Sequence, residues 1–328
     1  MTDREVVLMM PGVEVKDAQP SERGLVLWNI LNQHNVERPD PMAVRCGENL
    51  QDLQHIKFEF QQTIDWQEWR ETCIPRLKYA AKQEIPHLPE LLPHKGKMAI
   101  VGGGPSVSNY IEQIKQFRVN DLDNLMSINA AHNWLIEHGI IPRIHVISEF
   151  DVEDIPIALG GLPHRDVTYY LSSSCHTNLF RQLNGYKCVL WHPFMPMQGY
   201  QQAISRYFKN EFMVMSGFAT FFKSLAIATI LGFRDFELFG LDSSFEGSSH
   251  VGDYVIANKE PRISVWAADQ WGKKLKKFTT QGGLAFQAKE FLEFCKYNQS
   301  GISLRVRGDG LLRYLHESRY PDQYELKG

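Results

Sequence analysis

Gly102-Gly103-Gly104-Pro105-Ser106 stands between a short apolar run, Met98–Val101, and an apolar face at helical spacing made by Val107, Tyr110, Ile111, Ile114 and Phe117. The glycines therefore occupy a strand-to-helix turn, with Pro105 at a first helical position, where its missing N–H costs nothing. Such a turn offers backbone N–H groups and the positive end of a helix to one spot, which suits phosphate. It also suits a tight turn that needs glycine only for its backbone angles. Two familiar fingerprints are missing. The third glycine of G-x-G-x-x-G falls on Val107, and no lysine closes the turn as in a P-loop.

Further polar residues recur after apolar runs of strand length. Ser127, Asn129 and His132 follow one run, and Glu149 and Asp151 another. Ser172–His176, His192, and Asp242-Ser243-Ser244 follow three more. Glu149 and Asp151 could converge on one cation, as Mg2+ sites require, or cap a helix. Asp242, directly after "DFELFGL", is placed for a metal ligand or a general base, or for capping a turn. His250, in "GSSHVG", could transfer protons, ligate metal or pair with phosphate. Ser216-Gly217 opens a second Gly-then-helix start, with Ser216 as a cap and Phe218, Phe221, Phe222 and Leu225 as the buried face.

The elements that must hold these residues alternate. Strands are expected at 98–101, 125–129, 144–148, 167–172, 187–191, 236–239 and 302–306. Helices are expected at 106–117, 131–138, 178–183, 217–231 and 284–297. That order predicts an α/β fold: a doubly wound, mostly parallel sheet with helices on both faces and ligands beyond the carboxyl ends of the strands. Before it, "GLVLWNILNQHN" and "IDWQEWRETCIPRLKYAAKQ" read as helices, and "PHLPELLPHKGK" as a proline-punctuated linker. The domain reading is a mainly helical region over 1–94 and a nucleotide-binding domain over 95–328.

The 328-residue chain carries a net charge of -3, too little basic field for a nucleic acid backbone. The run Lys273-Lys274-Leu275-Lys276-Lys277 reads as a solvated face. Five widely spaced cysteines without C-x-x-C argue against disulfide or zinc frameworks. With no leader pattern and no run of membrane-spanning length, a cytoplasmic protein is expected, with an oligomer allowed.

"VGGGPSV", "INAAHNWLIEHGIIPRIHVISEFD" and "SGFATFFKSLAIATILGFRDFELFGLDSSFEGSSHVGDY", in that order, resemble the MptE-like domain of 6-hydroxymethylpterin diphosphokinases. That domain is shared with motility-associated-factor glycosyltransferases. The resemblance runs from Met98 to about Gly310. It implies that Gly102, Gly103, Gly104, Pro105 and Ser106 contact nucleotide phosphates, with Asn129, Ser216 and Gly217 near the nucleotide. It also implies Glu149 and Asp151 at Mg2+, and Asp151, Asp242 and His250 in catalysis. Arg143 departs from the family pattern, which has Asp after the proline; Val107 for Leu is a smaller departure. The implied activity is Mg-assisted transfer from a nucleoside triphosphate such as ATP to a small hydroxyl acceptor. Transfer of a nucleotide-activated sugar of the CMP-nonulosonic type is the alternative, and a non-catalytic nucleotide-binding protein the second alternative.

Overall fold

A computed structural model describes residues 5–8, 43–45, 66–119, 124–148, 158–159, 161–195, 198–209, 211–217, 219–245, 262–268, 275–297 and 301–320. Among the described residues, the strands are β1 (Glu5–Leu8), β2 (Ala43–Arg45), β3 (Lys97–Val101), β4 (Leu125–Ile128), β5 (Ile144–Ile147) and β6 (Thr168–Ser172). They continue with β7 (Lys187–Trp191), β8 (Phe212–Val214), β9 (Asp235–Phe239), β10 (Arg262–Ala268), β11 (Leu275–Gln281) and β12 (Ser303–Val306). The helices are α1 (Trp66–Ala80), α2 (Ile111–Val119), α3 (Ala131–Glu137), α4 (Thr177–Gln182), α5 (Gln198–Tyr207), α6 (Thr220–Ile230), α7 (Gly282–Tyr297) and α8 (Leu311–Arg319). A 3₁₀ turn, Pro105–Tyr110, leads into α2.

Seven strands form one sheet in the order β12-β9-β3-β4-β5-β6-β7, and the expected α/β architecture is the observed one. The paired strands run parallel, and β4 and β5 are buried along their whole length. Parallel strands covered on both faces read as continuous apolar runs, which is how "LMSI" and "IHVI" look in the sequence. The chain divides into two compact units interleaved in sequence. One is Met1–Asp17, Lys95–Pro142 and Arg234–Gly328; the other is Ala18–His94 and Arg143–Phe233.

In the first unit, Val107 and Ile114 are fully buried against Val101, Leu135 and Phe239, with Tyr110, Ile111 and Phe117 packed alongside. The helical face read from the sequence is this surface. A second sheet, β1-β10-β11, belongs to the same unit; β1 runs parallel to β10, and β10 antiparallel to β11.

In the second unit, α6 is buried on almost every side, as an apolar-all-round helix must be. It begins at Thr220, later than read from the sequence, because Ala219 is still extended. Ser216 is therefore not its cap; its hydroxyl donates to the Gly217 carbonyl at 3.3 Å. Phe218 lies outside the described residues. The proline-punctuated segment before β3 is pinned rather than loose. Leu190 N–H donates to Pro86 O at 2.7 Å, and Leu88 N–H to Leu190 O at 2.8 Å, which covers the outer side of β7. Farther along, Leu91 N–H donates to Ile230 O and His94 N–H to Gly232 O, both at 2.9 Å, closing the end of α6. Gly232 sits there at φ +93, where a Cβ would also strike Leu92 O.

His192 follows β7 at 2% exposure. Burial, with His87 beside it, lowers its pKa to about 3. The unfolded imidazole, with an ordinary pKa of 6.5, takes up a proton that the folded one refuses. Its stabilising contribution is thus complete above pH 6.5 and is lost as pH falls toward 3. We expect denaturant titrations of the metal-free chain to show about 2 kcal/mol less stability at pH 5 than at pH 7 from this group, at 1.36 kcal/mol per pH unit. His192→Gln should remove that slope, and an unchanged slope would assign it elsewhere.

Candidate active site

The first unit's four parallel strands, β12, β9, β3 and β4, end on the same side. Their carboxyl ends deliver Arg307–Gly310, Gly240–Ser244, Gly102–Ser106 and Asn129 to one edge of the sheet. Arg307 holds the outermost of these turns in line. Its Nε and Nη2 both lie 2.6 Å from Glu237 Oε1, on a carboxylate otherwise buried in β9.

The glycine turn packs directly on the turn after β9. Gly102 N–H donates to Phe239 O and Gly104 N–H to Gly240 O, each at 2.8 Å. A Cβ on Gly102 would lie 2.6 Å from Leu241 Cδ2; one on Gly104 would lie 2.5 Å from Asp242 Oδ2. Close approach of two backbones is thus the first reason for these glycines. The second is Asp242. Its Oδ2 accepts from Ser106 N–H at 2.9 Å and its Oδ1 from the Ser106 hydroxyl at 2.6 Å, all buried. The anion at the start of this 3₁₀ turn is therefore the chain's own carboxylate. Of the turn's amides, those of Gly102, Gly104 and Ser106 are engaged within the chain, and Pro105 has none. Gly103 N–H has no hydrogen-bond partner among the described residues.

The same carboxylate organises the last turn. Gly308 sits at φ +110, where a Cβ would lie 2.7 Å from Asp242 Oδ1 and strike Ser106 Oγ; one on Gly310 would lie 2.5 Å from Asp242 Cα. Ser244 Oγ accepts from Leu311 N–H at 3.1 Å at the start of α8. Strand β11 is sewn to this turn by Thr280 Oγ1 donating to Ser243 O and Phe245 N–H donating to Thr279 O, both at 2.8 Å.

A cavity of about 200 Å³ opens beside the clasp, bordered by Pro105, Asp242, Phe245, Lys276, Phe278 and Asp309, with Ser244 and Gly310 completing it. Lys276 and Phe278 were not singled out by the sequence reading, which took the lysine run as a solvated face. Alternation along β11 separates that run. Lys276 Nζ lies 4.9 Å from the Phe278 ring centre and borders the cavity, whereas Lys277 lies over Trp266. A more attentive reading of the Lys-x-Phe alternation could have found it. The Arg262 guanidinium lies 4.7 Å from the Phe245 ring centre.

Two residues at these strand ends carry backbone strain: Asn129 at φ +48 and Ser243 at φ +50. Each also has a buried side-chain oxygen with no hydrogen-bond partner among the described residues, Asn129 Oδ1 and Ser243 Oγ. Strained, orphaned polar groups gather where a ligand completes the network.

The remaining sequence-read residues divide. Glu149, Asp151 and His250 lie outside the described residues. Ser216 and Gly217 belong to the second unit, as do Ser172–His176. There Ser172 and Ser174 hydroxyls bond each other at 2.7 Å, and His176 Nδ1 caps α4 by accepting from Asn178 N–H. Arg143, the departure from the family pattern, lies near Tyr170, where its charge opposes the rise in phenol pKa caused by burial.

The clasp predicts an order of glycine sensitivities. Gly185, at φ +83, has nothing within 4 Å of a Cβ, so Gly185→Ala costs only backbone strain. Gly308→Ala adds the collision with Ser106 and Asp242 and should be the more destabilising by at least about 1 kcal/mol in urea titrations. Equal losses would mean that the turn yields freely.

No curated protein matches the chain. The structure of the MAf glycosyltransferase from Magnetospirillum magneticum AMB-1 superposes with a TM-score of 0.53 at 16% identity, covering 78% of this chain and 41% of that one. The likeness is one of fold, and this chain spans well under half of that protein's length. The profile of the 6-hydroxymethylpterin diphosphokinase MptE-like family matches residues 71–248, more than half of the 328. That stretch contains the glycine turn, the Asn129 bend and the Asp242 clasp, and the chain belongs to the MptE-like family.

Proposed function

We propose that the chain is a nucleotide-dependent transferase whose donor lies in the cavity beside the Asp242–Ser106 clasp. The observation that carries the reading is the company at that cavity: one ammonium, two aromatic rings and two carboxylates, on a turn whose Ser243 is strained and has an orphaned oxygen. Membership of the MptE-like family supports transferase chemistry, and the family's diphosphokinase description supports a nucleoside triphosphate such as ATP as donor. Lys276 and the Gly103 N–H would meet phosphate oxygens, and Phe245 or Phe278 would pack against the base. Gly102, Gly104, Pro105 and Ser106 would shape the wall rather than donate to phosphate. Asn129 remains a proposed nucleotide contact.

Asp242 and Asp309 are the described carboxylates at the cavity, an oxygen donor set of the kind Mg2+ takes alongside substrate phosphates. Glu149 and Asp151 remain, on the sequence reading, an alternative proposed Mg2+ site. Bound there, Mg2+ would neutralise phosphate charge. The acceptor hydroxyl oxygen would attack phosphorus as its proton passes to Asp242, Asp151 or His250, and the nucleotide portion would leave. Catalysis of this kind rests mainly on positioning and charge.

The fold likeness to a glycosyltransferase favours a second reading, in which the donor is a nucleotide-activated sugar of the CMP-nonulosonic type and the same cavity holds its nucleotide. A melting-temperature panel separates the two. ATP with Mg2+ at about 100 times its Kd should add roughly 2.7 kcal/mol of stability and raise Tm. Lys276→Met should weaken that binding by about tenfold or more. A shift with CMP or CMP-sugars alone would replace the kinase reading with the glycosyl-transfer one. Silence toward every nucleotide at millimolar concentration would overturn both.

A further inference from the structure

In the second unit, three side chains that the nucleotide reading does not use converge on one point. His87 comes from the pinned segment beside β7, His192 from the residue after β7, and Glu211 from the residue before β8. His87 Nδ1 lies 3.2 Å from His192 Nε2 and 3.4 Å from Glu211 Oε2. No two of the three donor atoms are more than 4.8 Å apart.

We propose that His87, His192 and Glu211 form a binding site for a divalent transition ion of the zinc class. Zinc takes His nitrogen and carboxylate oxygen at about 2.0–2.2 Å in tetrahedral array, which sets neighbouring ligand atoms about 3.3–3.6 Å apart. The two measured separations are close to that edge length. Two imidazoles and one carboxylate select such an ion over Mg2+ or Ca2+, which prefer all-oxygen sets. Hydrogen bonding alone uses the cluster poorly. A neutral His87 has at most one proton at Nδ1, yet that atom faces both an imidazole nitrogen and a carboxylate oxygen. An ion satisfies all three at once. His192 Nδ1, buried without a partner, then carries that ring's proton.

The setting is rigid on the buried side and open on the other. His192 is 2% exposed and packs at 4.3 Å between ring centres on Phe208, while the His87 and Glu211 side chains are 31% and 30% exposed. The backbone holds each ligand's segment. Val214 N–H donates to His192 O at 2.6 Å, and the Pro86–Leu88 bonds fix the His87 segment to β7. Three protein ligands leave a fourth position on the exposed side for water or a further donor. The ion would staple a segment 105 residues upstream of His192 to the outer side of β7. This site stands apart from the nucleotide reading and does not depend on it.

The test uses the full chain, stripped with a chelator and titrated with Co2+ as a spectroscopic probe, then with Zn2+. One equivalent of Co2+ should bind with the intense visible bands of a four-coordinate site, and Zn2+ should displace it and raise Tm, whereas Mg2+ should do neither. Glu211→Gln and His87→Gln, both at half-exposed positions, should keep the wild-type far-UV circular dichroism and bind at least tenfold more weakly. Binding below one equivalent, or unchanged affinity in both folded variants, would overturn the site. A hydrogen-bonded cluster without an ion would instead show lowered Tm in the variants with no metal uptake by the wild type, and that too would refute it.

Discussion

A buried carboxylate at a turn start is the interaction on which the first unit's architecture depends. Asp242 is separated from Ser106 by 136 residues, yet accepts from both its amide and its hydroxyl. An ionised or hydrogen-bonded carboxyl in such a place is costly unless its oxygens are met, and here the 3₁₀ turn meets them. Satisfying the acid requires the backbones after β3, β9 and β12 to approach within distances that a Cβ would prevent. That requirement explains Gly102, Gly104, Gly308 and Gly310 together, where phosphate binding alone would explain only the first two.

The consequence for chemistry is a division of labour. The glycine turn serves as a wall held by the acid opposite it. Charge and flat apolar surface at the cavity come from β11 and from the turns after β9 and β12, through Lys276, Phe278, Phe245 and Asp309. Strand β11 and the β12 turn lie beyond residue 248, where the family match ends, while the glycine turn and Asp242 lie within it.

Most of the sheet was legible because its inner strands are buried along nearly their whole length, whereas β7 and β12 keep exposed positions. "MAIV", "LMSI", "IHVI" and "KCVLW" are apolar runs at strand length, and the observed bounds fall within two residues of those read. The partner of Asp242 was not legible, since nothing in local spacing reports a contact 136 residues away; the acid read equally as base, ligand or cap. Strand β11 was missed because its lysines resemble a solvated surface. The start of α6 was placed early because Ser216 has the chemistry of a cap while Ala219, the actual boundary residue, has none. Asn129 was legible as a site residue only by its place after a strand; its strained backbone and orphaned oxygen needed coordinates.

The most direct test of the clasp is a double-mutant cycle in equilibrium unfolding with Ser106→Ala, Asp242→Asn and the pair together. Charge-assisted hydrogen bonds buried at this corner predict a coupling of about 1–3 kcal/mol, so that the double variant loses clearly less than the sum of the single ones. Strictly additive losses would mean that Asp242 and Ser106 do not hold the strand ends together.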